Sequence, residues 1–166
     1  KKYLCHRNIP IFMPALTDSL LSIVVPLYNE EDNVALLTEK IHESLEGYHY
    51  QIIYVDDFST DRTRKVIKDL KDPRIHLISL KKNYGQSLAL AAGLDYAQGA
   101  YVITMDGDLQ NDPGDIPNML PYVLSGEFDV VTGIRQKRKD SLVKKIPSKI
   151  ANFMVRRVTK LDIKDN

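Results

Sequence analysis

The chain has 166 residues, of which 43% are hydrophobic and 27% are charged, and its formal net charge is +1. These values are typical of one globular domain and exclude a disordered, collagen-like or coiled-coil chain. The single cysteine, Cys5, excludes an internal disulfide. No apolar run approaches the ~20 residues that a membrane-spanning helix needs. Residues 1–19 predict an irregular leader, because prolines and polar residues interrupt them too often for a signal peptide.

The charge is distributed unevenly along the sequence. Residues 135–160 contain ten Lys and Arg residues and one acid, Asp140, whereas the rest of the chain contains 13 Lys and Arg and 21 Asp and Glu. A basic segment on an acidic body predicts an anionic partner for that segment. The alternative is the solvated face of a charged helix. Nucleic acid is not the expected partner, because the positive charge is local and the body is acidic.

Short apolar runs alternate with segments of helical periodicity along the chain. Strands are predicted at residues 20–26, 50–55, 75–80, 101–105 and 128–133. Helices are predicted at residues 31–45, from the cap residues 59–61 to about 70, and at 86–97, 116–124 and 142–159. This order predicts a single α/β domain with a mostly parallel sheet and helices on both of its faces.

The carboxyl ends of the predicted strands are the expected place for a ligand in such a fold. Four of these ends carry distinctive motifs, at residues 26–30, 56–57, 106–108 and 133–135, and three of the four are acidic. Because the carboxyl ends of parallel strands meet at one edge of a sheet, we expect these motifs to lie close together. Their convergence is the strongest functional indication in the residues themselves.

Asp106 and Asp108 follow the fourth predicted strand and are separated only by Gly107. Two carboxylates at this spacing can turn toward one cation, and the glycine permits a close approach of the backbone. Oxygen ligands favour Mg²⁺ or Mn²⁺ bridging phosphate oxygens, and Gln110 can add a polar contact. The alternative is an ordinary turn, since Asp, Gly and Asn are common turn residues.

Asp56 and Asp57 end the second predicted strand. Adjacent carboxylates repel each other unless donors or a cation neutralise them, so one can accept a hydrogen bond from a nucleobase while the other caps the next helix. After the first strand, Tyr28 can pack on a base, and Glu30 can accept from a base or a ribose. The alternatives are helix caps for both aspartates and a plain strand-to-helix turn at residues 26–30.

Two further segments favour anions. At residues 83–86, Gly85 precedes a predicted helix, and the backbone amides at a helix start favour an anion. The basic segment begins with Arg135 near the proposed site, and guanidinium groups suit phosphate. Its apolar residues recur at helical spacing over 142–158, which indicates either a membrane-surface helix or a helix packed on the core.

Together these segments resemble the family 2 glycosyltransferases, which have the Rossmann-like GT-A fold. The matching motifs are Pro-Leu-Tyr-Asn-Glu-Glu at 26–31, Val-Asp-Asp-Phe-Ser-Thr-Asp at 55–61 and Asp-Gly-Asp-Leu-Gln at 106–110. The resemblance extends over roughly residues 20–160. Within it, Phe58 stands where the family usually has glycine, and Gly107 stands where the family usually has alanine.

A narrower resemblance is to the polyprenyl-phosphate glycosyltransferases, especially the undecaprenyl-phosphate transferases and, more distantly, the dolichol-phosphate mannose synthases. It rests on residues 83–86, 108–113, 130–138 and 140–152. The resemblance implies inverting, metal-dependent transfer of a sugar from a nucleotide-sugar, expected to be UDP-linked, to a polyprenyl phosphate. It also implies Mg²⁺ or Mn²⁺ as the cofactor and a membrane surface as a partner, and it is compatible with a homo-oligomer.

The resemblance also implies a role for each matching residue. The implied nucleotide contacts are Pro26, Tyr28, Glu30, Asp56, Asp57 and Asp106. The implied metal ligands are Asp106, Asp108 and Gln110. The residues implied to grip the acceptor phosphate are Arg135, Lys144 and Ser148, and the catalytic residues are then Asp106, Asp108 and Arg135.

The family pattern further implies a domain boundary and a location. Residues 20–166 are expected to form a GT-A catalytic domain that stops before a C-terminal membrane region. The whole protein is then expected at the cytoplasmic face of the inner membrane, and the part of it given by this sequence is expected to be soluble.

Two other interpretations of the residues stay open. In the first, the same fold serves a soluble saccharide acceptor, which requires a carboxylate base near the anomeric carbon. The basic stretch from 135 to 149 argues against it, because sugar hydroxyls do not call for such charge. In the second, the chain is a non-catalytic nucleotide-binding α/β module.

Overall fold

The computed structural model describes residues 19–133. Within this range the elements follow in the order β1 (Leu21–Leu27), α1 (Val34–Ser44), β2 (Tyr50–Asp56), α2 (Thr63–Asp69), β3 (Ile75–Ser79), α3 (Gln86–Tyr96), β4 (Tyr101–Thr104) and α4 (Ile116–Leu124). One turn of 3-10 helix, Pro113–Asp115, precedes α4. The first four predicted strands and the first four predicted helices are therefore all present, with small shifts at their ends.

The four strands form one parallel sheet in the order β3-β2-β1-β4. β1 lies between β2 and β4, with Leu27 beside Asp56 and Val24 beside Thr104. β3 pairs with the other side of β2, where Ser79 lies beside Asp56. The parallel sheet confirms the predicted α/β fold, and it brings the carboxyl ends of β1, β2 and β4 to one edge.

Successive residues of the two central strands face opposite layers, because side chains alternate along a strand. On one face, residues such as Ile23 and Val25 share a core with α1, α2 and α4. On the other face, Val24 and Val55 share a core with Ala89 of α3. The structure thus confirms helices on both faces of the sheet.

Gly93 allows α3 to approach the sheet closely. A Cβ atom at this position would lie 2.3 Å from Val24 Cγ1 and 3.0 Å from Val55 Cγ2. Both distances are too short for packed carbon atoms, so a larger residue must displace the helix or the two valines. Because α3 begins at Gln86, at the ligand edge of the sheet, this close packing also fixes the position of Gln86.

The predicted fifth strand at residues 128–133 is wrong. The structure describes this whole run and places only Gly133 in an isolated bridge, with the other residues outside any strand. Val130, in the middle of the run, is 75% exposed. An apolar run forms a strand only when a neighbouring edge pairs with it, and within residues 19–133 the outer side of β4 pairs with no other strand.

Two other predictions lie outside the described residues. They are the leader at 1–19, apart from Ser19, and the helix at 142–159. The end of the expected domain at residue 166 also lies beyond this range. Among the helices of residues 19–133, none combines the length and the apolar character that crossing a bilayer requires.

A polar cluster ties α1 to the amino ends of β2 and β3, at the opposite edge of the sheet. His42 Nε2 lies 2.9 Å from Asp72 Oδ2, and His42 Nδ1 lies 2.6 Å from the Tyr50 hydroxyl oxygen. Arg74 Nη1 donates to the same hydroxyl oxygen at 2.8 Å. Because the Asp72 carboxylate only accepts, a neutral His42 carries its proton on Nε2 and donates it to Asp72, and the Tyr50 hydroxyl then donates to His42 Nδ1.

We expect the free energy of unfolding to fall as the pH drops below about 6.5, the usual pKa of histidine. Burial, and secondly the charge of Arg74, lower the pKa of His42 in the folded state. The unfolded chain therefore binds this proton more readily, so stability is fully present above the unfolded pKa and is lost as the pH falls below it. Urea unfolding between about pH 7.5 and pH 5.5 measures the loss.

His42→Asn provides the matched control, because asparagine does not titrate. Its unfolding free energy should change less between these two pH values than that of the unmodified chain. The same slope in both proteins would contradict the assignment. Asp72, whose pKa is lowered to about 2 chiefly by its hydrogen bond from Arg74, affects stability only below about pH 4, the range of an ordinary aspartate.

Candidate functional site

A cavity of about 270 Å³ opens at the carboxyl edge of the sheet. Its lining comes from the ends of β1, β2 and β4 and from the start of α3, and consists of Pro26, Leu27, Tyr28, Glu30, Asp57, Gln86, Asp106, Gly107 and Asp108. A second cavity, of about 150 Å³, shares Pro26, Gln86 and Asp106 with the first. Four lining residues of the larger cavity are acidic and none is Lys or Arg. The described wall is therefore strongly anionic.

The structure brings most of the predicted site residues of the described range into this one lining. Those that line the cavity are Pro26, Tyr28, Glu30, Asp57, Asp106 and Asp108. Asp56 and Gln110 do not line it. Arg135, Lys144 and Ser148, the predicted acceptor residues, lie outside the residues that the structure describes.

Hydrogen bonds join the loop after β1 to the loop after β2. The Asn29 amide donates to Ser59 Oγ at 2.9 Å, and the Thr60 amide donates to Asn29 Oδ1 at 2.8 Å. The Glu30 amide donates to Thr63 Oγ1 at 2.8 Å. These bonds fix the backbone on both sides of the cavity's Glu30, and they hold Asn29 at a φ of 56°, a left-handed conformation that asparagine tolerates.

Thr63→Val is expected to lower the free energy of unfolding by about 2 kcal/mol, because it leaves the Glu30 amide without an acceptor. Thr63 is fully buried and valine has nearly the same shape, so the change removes the hydroxyl and little else. Urea unfolding measures the loss. Thr63→Ser keeps the hydroxyl and should recover most of the stability, and an equal loss in both variants would show that the hydrogen bond is not the cause.

Asp56 is the inner member of the aspartate pair. It is fully buried, and both of its carboxylate oxygens lie 3.3 Å from the Ser59 amide nitrogen. Asp56 Oδ2 also lies 3.4 Å from Arg64 Nε. The structure therefore places Asp56 in the turn that precedes α2, where it accepts from a turn amide and does not cap the helix, and outside the cavity lining.

Asp57 is the outer member of the pair and lines the cavity. Its Oδ1 accepts from the Tyr84 amide and its Oδ2 from the Gly85 amide, both at 2.7 Å. The amides before α3 thus bind an anion, as the glycine at a helix start predicted, and that anion is a side chain of the protein. Each carboxylate oxygen has a second lone pair, which remains available to a ligand N–H.

Phe58 has the backbone conformation for which the family usually uses glycine. Its φ is 66°, in the left-handed region that costs a residue with a Cβ atom about 1–2 kcal/mol. Its side chain is 43% exposed, and it belongs to neither of the two hydrophobic cores of residues 19–133. Burial in the described part of the chain therefore does not offset the backbone strain.

Gln86 is a site residue to which the sequence assigned no role. It lines both cavities, and its Nε2 donates to Asp106 Oδ1 at 2.7 Å. Asn111 Nδ2 lies 3.3 Å from Asp106 Oδ2, so amide groups hold both oxygens of this carboxylate. The indications in the sequence were that Gln86 opens a helix directly after a strand-end loop and that residues 83–86 belong to the narrower resemblance.

Asp108 is held by the turn that follows it. Its Oδ1 accepts from the Gln110 amide at 3.0 Å, and Leu109 between them has a φ of 61°. Gln110 thus contributes its backbone to the turn, and its side chain lies outside the lining. A Cβ atom at Gly107 would lie 2.3 Å from Leu27 Cδ2. The Leu27 side chain therefore occupies the space that the methyl group of the family's usual alanine would need.

The donor set of the cavity fits a divalent cation of the Mg²⁺ or Mn²⁺ kind. Asp106 and Asp108 offer only oxygen atoms, and such cations are typically bound by one or two carboxylates together with water and substrate phosphates. Residues 19–133 contain no group of three or more His, Cys, Asp or Glu side chains that could hold a metal ion. The two aspartates can therefore supply part of a coordination shell that a phosphorylated ligand completes.

Comparisons with known proteins identify the family. A profile described as "Glycosyl transferase family 2" matches residues 22–166. A dodecaprenyl-phosphate galacturonate synthase from Rhizobium johnstonii is 41% identical in an alignment of 152 residues, and the match covers 87% of this chain and 45% of that protein. An undecaprenyl-phosphate 4-deoxy-4-formamido-L-arabinose transferase from Pectobacterium carotovorum is 42% identical in an alignment of 144 residues, and the match covers 84% of this chain and 44% of that protein. The chain spans less than half the length of these relatives.

Solved structures share the fold. Glucosyl-3-phosphoglycerate synthase from Mycobacterium tuberculosis, solved with Mn²⁺, UDP and glucosyl-3-phosphoglycerate, has a TM-score of 0.64 at 21% identity, over 86% of this chain and 51% of that one. A mannosyltransferase from Pyrobaculum calidifontis, solved with GDP-Man and Mn²⁺, has a TM-score of 0.56 at 23% identity, over 62% of this chain and 32% of that one. These likenesses confirm the predicted GT-A fold. Because the family profile matches nearly all of the chain, the chain belongs to glycosyl transferase family 2.

Proposed function

We propose that the whole protein transfers a sugar from a nucleotide-sugar to a polyprenyl phosphate, with inversion at the anomeric carbon and with Mg²⁺ or Mn²⁺ bound. The single observation that carries the proposal is the anionic cavity at the carboxyl edge of the sheet. The acceptor class is supported by the two curated relatives, which are both named for a polyprenyl phosphate. A UDP-linked sugar is the expected donor, and a GDP-linked sugar is the alternative.

The charge of the cavity argues for a metal-dependent donor. Among the described residues, the lining carries the carboxylates of Glu30, Asp57, Asp106 and Asp108 and no Lys or Arg. Such a wall repels a diphosphate unless a cation lies between them. We assign the cation to Asp106 and Asp108, which Gln86 and the Gln110 amide hold in place. When bound, the cation neutralises the charge that builds up on the departing diphosphate.

The nucleoside end of the donor is assigned to the loops after β1 and β2. Asp57 accepts an N–H of the base, and Tyr28, which is 48% exposed in the cavity lining, packs against the base. Glu30 accepts from a ribose hydroxyl, and Pro26 forms the floor between the two halves of the site. The hydrogen bonds that Ser59, Thr60 and Thr63 make with Asn29 and Glu30 hold these two loops in place before the donor binds. This favours binding, because the loops lose less conformational entropy when the donor is bound.

The acceptor end is assigned to the basic segment. Arg135, Lys144 and Ser148 are proposed to bind the lipid phosphate and to orient it toward the anomeric carbon. A phosphate is already ionised near neutral pH, so its oxygen attacks without a strong general base. Because the lipid lies in a bilayer, we place the whole protein at the cytoplasmic face of the inner membrane, with the basic segment against the anionic surface.

A transfer assay on the full-length protein tests the proposal. Radiolabelled UDP-sugars, including UDP-galacturonate, UDP-4-deoxy-4-formamido-arabinose and UDP-glucose, are incubated with undecaprenyl phosphate and Mn²⁺. We expect label from one of them to enter the organic phase, and to stay in water when EDTA is added or when undecaprenol replaces the phosphate. Label that moves only to a soluble saccharide would support the other acceptor class. Transfer that is unaffected by EDTA would contradict the metal assignment.

Arg135→Ala separates the two ends of the site. The change should raise the KM for undecaprenyl phosphate roughly tenfold, because it removes one charge-assisted phosphate contact. The Kd for UDP should stay the same, because the donor residues lie on other loops. Weaker UDP binding with an unchanged KM for the lipid would show that the division of the site is wrong.

A further inference from the structure

Three exposed aromatic side chains follow the first three strands of the sheet. Tyr28 is 48%, Phe58 is 43% and Tyr84 is 46% exposed. All three are linked to Asp57. Tyr28 lines the same cavity, Phe58 is the next residue in the chain, and the Tyr84 amide donates to Asp57 Oδ1. Tyr28 is therefore part of the cavity that contains the carboxylate assigned to the nucleobase, whereas Phe58 and Tyr84 flank that carboxylate through the backbone and do not line the cavity.

Phe58 differs from the other two because its ring belongs to neither of the two cavities and to neither hydrophobic core of residues 19–133. Tyr28 already belongs to the cavity lining, and Lys82 Nζ lies over the Tyr84 ring at 4.9 Å. The Phe58 backbone is also held in the left-handed region, where glycine would be unstrained.

The strain at Phe58 is imposed by its neighbours. Asp57 is fixed by the amides before α3, and Ser59 is fixed by the Asp56 carboxylate and by the Asn29 amide. The residue between Asp57 and Ser59 must therefore adopt the observed φ whatever its side chain is. A phenylalanine at this position makes folding less favourable than a glycine would, and persistent strain of this kind is typical of functional sites.

We propose that the Phe58 ring is a nucleobase contact of the donor site, packing against the base whose N–H is accepted by Asp57. The inference rests on the proposed function and adds to it a residue that recognises the aromatic surface of the base. A ring recognises that surface in any nucleobase, whereas the carboxylate favours a base with a ring N–H at its Watson–Crick edge, such as uracil or guanine. Phe58 then contributes to nucleotide binding, while its strained backbone lowers the stability of the fold.

The test compares Phe58→Gly, Phe58→Ala and Phe58→Trp in calorimetric titrations and in thermal melts of the full chain. With Mn²⁺ present, we expect the glycine and alanine variants to bind UDP and uridine about tenfold more weakly, and the tryptophan variant to bind them normally. Mn²⁺-dependent binding of pyrophosphate should not change, since pyrophosphate has no base. In the absence of ligand, Phe58→Gly should raise Tm by about 2 °C, because the strain is gone, while Phe58→Ala should not.

The controls separate this inference from the function on which it rests. Leu36→Ala removes an equally exposed apolar side chain from α1, six residues beyond Glu30, the nearest lining residue in the chain, whereas Phe58 directly follows the lining residue Asp57. The Leu36→Ala change should leave UDP affinity unchanged. Failure of the unmodified chain to bind either UDP or GDP with Mn²⁺ would overturn the proposed function. Normal UDP binding by the unmodified chain and by both small variants would overturn the role of Phe58 alone. An equal loss of pyrophosphate binding would also overturn it, since the effect would then not concern the base.

Discussion

Asp108→Asn is expected to weaken Mn²⁺-dependent UDP binding on the order of 100-fold. Asparagine has the same size as aspartate, and its side-chain oxygen can still accept from the Gln110 amide, so the turn is kept. The change removes one negative charge from the wall of the cavity. Because that charge holds the cation against the diphosphate, the loss should appear in UDP binding and not in the binding of uridine, which has no phosphate. Calorimetric titration measures both.

Asp95→Asn is the matched control for this prediction. Asp95 is an exposed residue of α3 outside the cavity lining, and its substitution changes the net charge by the same amount. It should leave the Kd for UDP unchanged. Equal losses in the two variants would mean that the total charge of the protein, and not a metal ligand, determines the affinity. An unchanged Kd in Asp108→Asn would show that the metal assignment is wrong.

Gly93→Ala is expected to lower the free energy of unfolding by about 3 kcal/mol, the upper end of the range for an overpacked core. The added methyl would lie 2.3 Å from Val24 Cγ1, in the layer where α3 meets the sheet. Both partners are fully buried valines, whose branched side chains have little freedom to move aside. Urea unfolding measures the loss. Because α3 carries Gln86 to Asp106, UDP affinity should fall as well.

A double-mutant cycle tests the stated cause. In Val24→Ala/Gly93→Ala, the new methyl enters the space that the valine leaves, so the double variant should lose at least about 1 kcal/mol less than the two single changes together. Additive losses would show that the contact with Val24 is not responsible. Gly133→Ala is the control for the effect of replacing a glycine by alanine without a packing clash. A Cβ there meets no atom of the described residues within 4 Å, so the change should affect stability little.

The sheet and its helices could be predicted from the sequence because their signals are local. The central strands are apolar runs that are buried on both faces, and the amphipathic helices repeat their apolar residues at helical spacing. The fifth strand could not be judged in the same way. The run at 128–133 contains the strand-forming residues Phe128, Val130 and Val131, but whether it pairs depends on a neighbouring edge that its own residues do not encode.

The site could be predicted to the level of its motifs but not of each side chain. The sequence located the carboxylates at three strand ends, since parallel strands share an edge. It did not assign Asp56 and Asp57 separately, because their difference depends on the partners Arg64 and the Tyr84 amide, which are distant in sequence. Gln86 was missed for the same reason, since its contact with Asp106 crosses 20 positions of the chain.

The most direct test of the central claim is a calorimetric titration of the full chain with UDP, first with Mn²⁺ and then with excess EDTA, and the same pair with GDP. The anionic cavity predicts that UDP binds with Mn²⁺ and that binding is lost in EDTA, because the carboxylate wall then faces the diphosphate without a cation. A preference for GDP would change the donor and keep the mechanism. Binding that persists in EDTA, or no binding of either nucleotide with Mn²⁺, would contradict a metal-dependent donor site at this edge of the sheet.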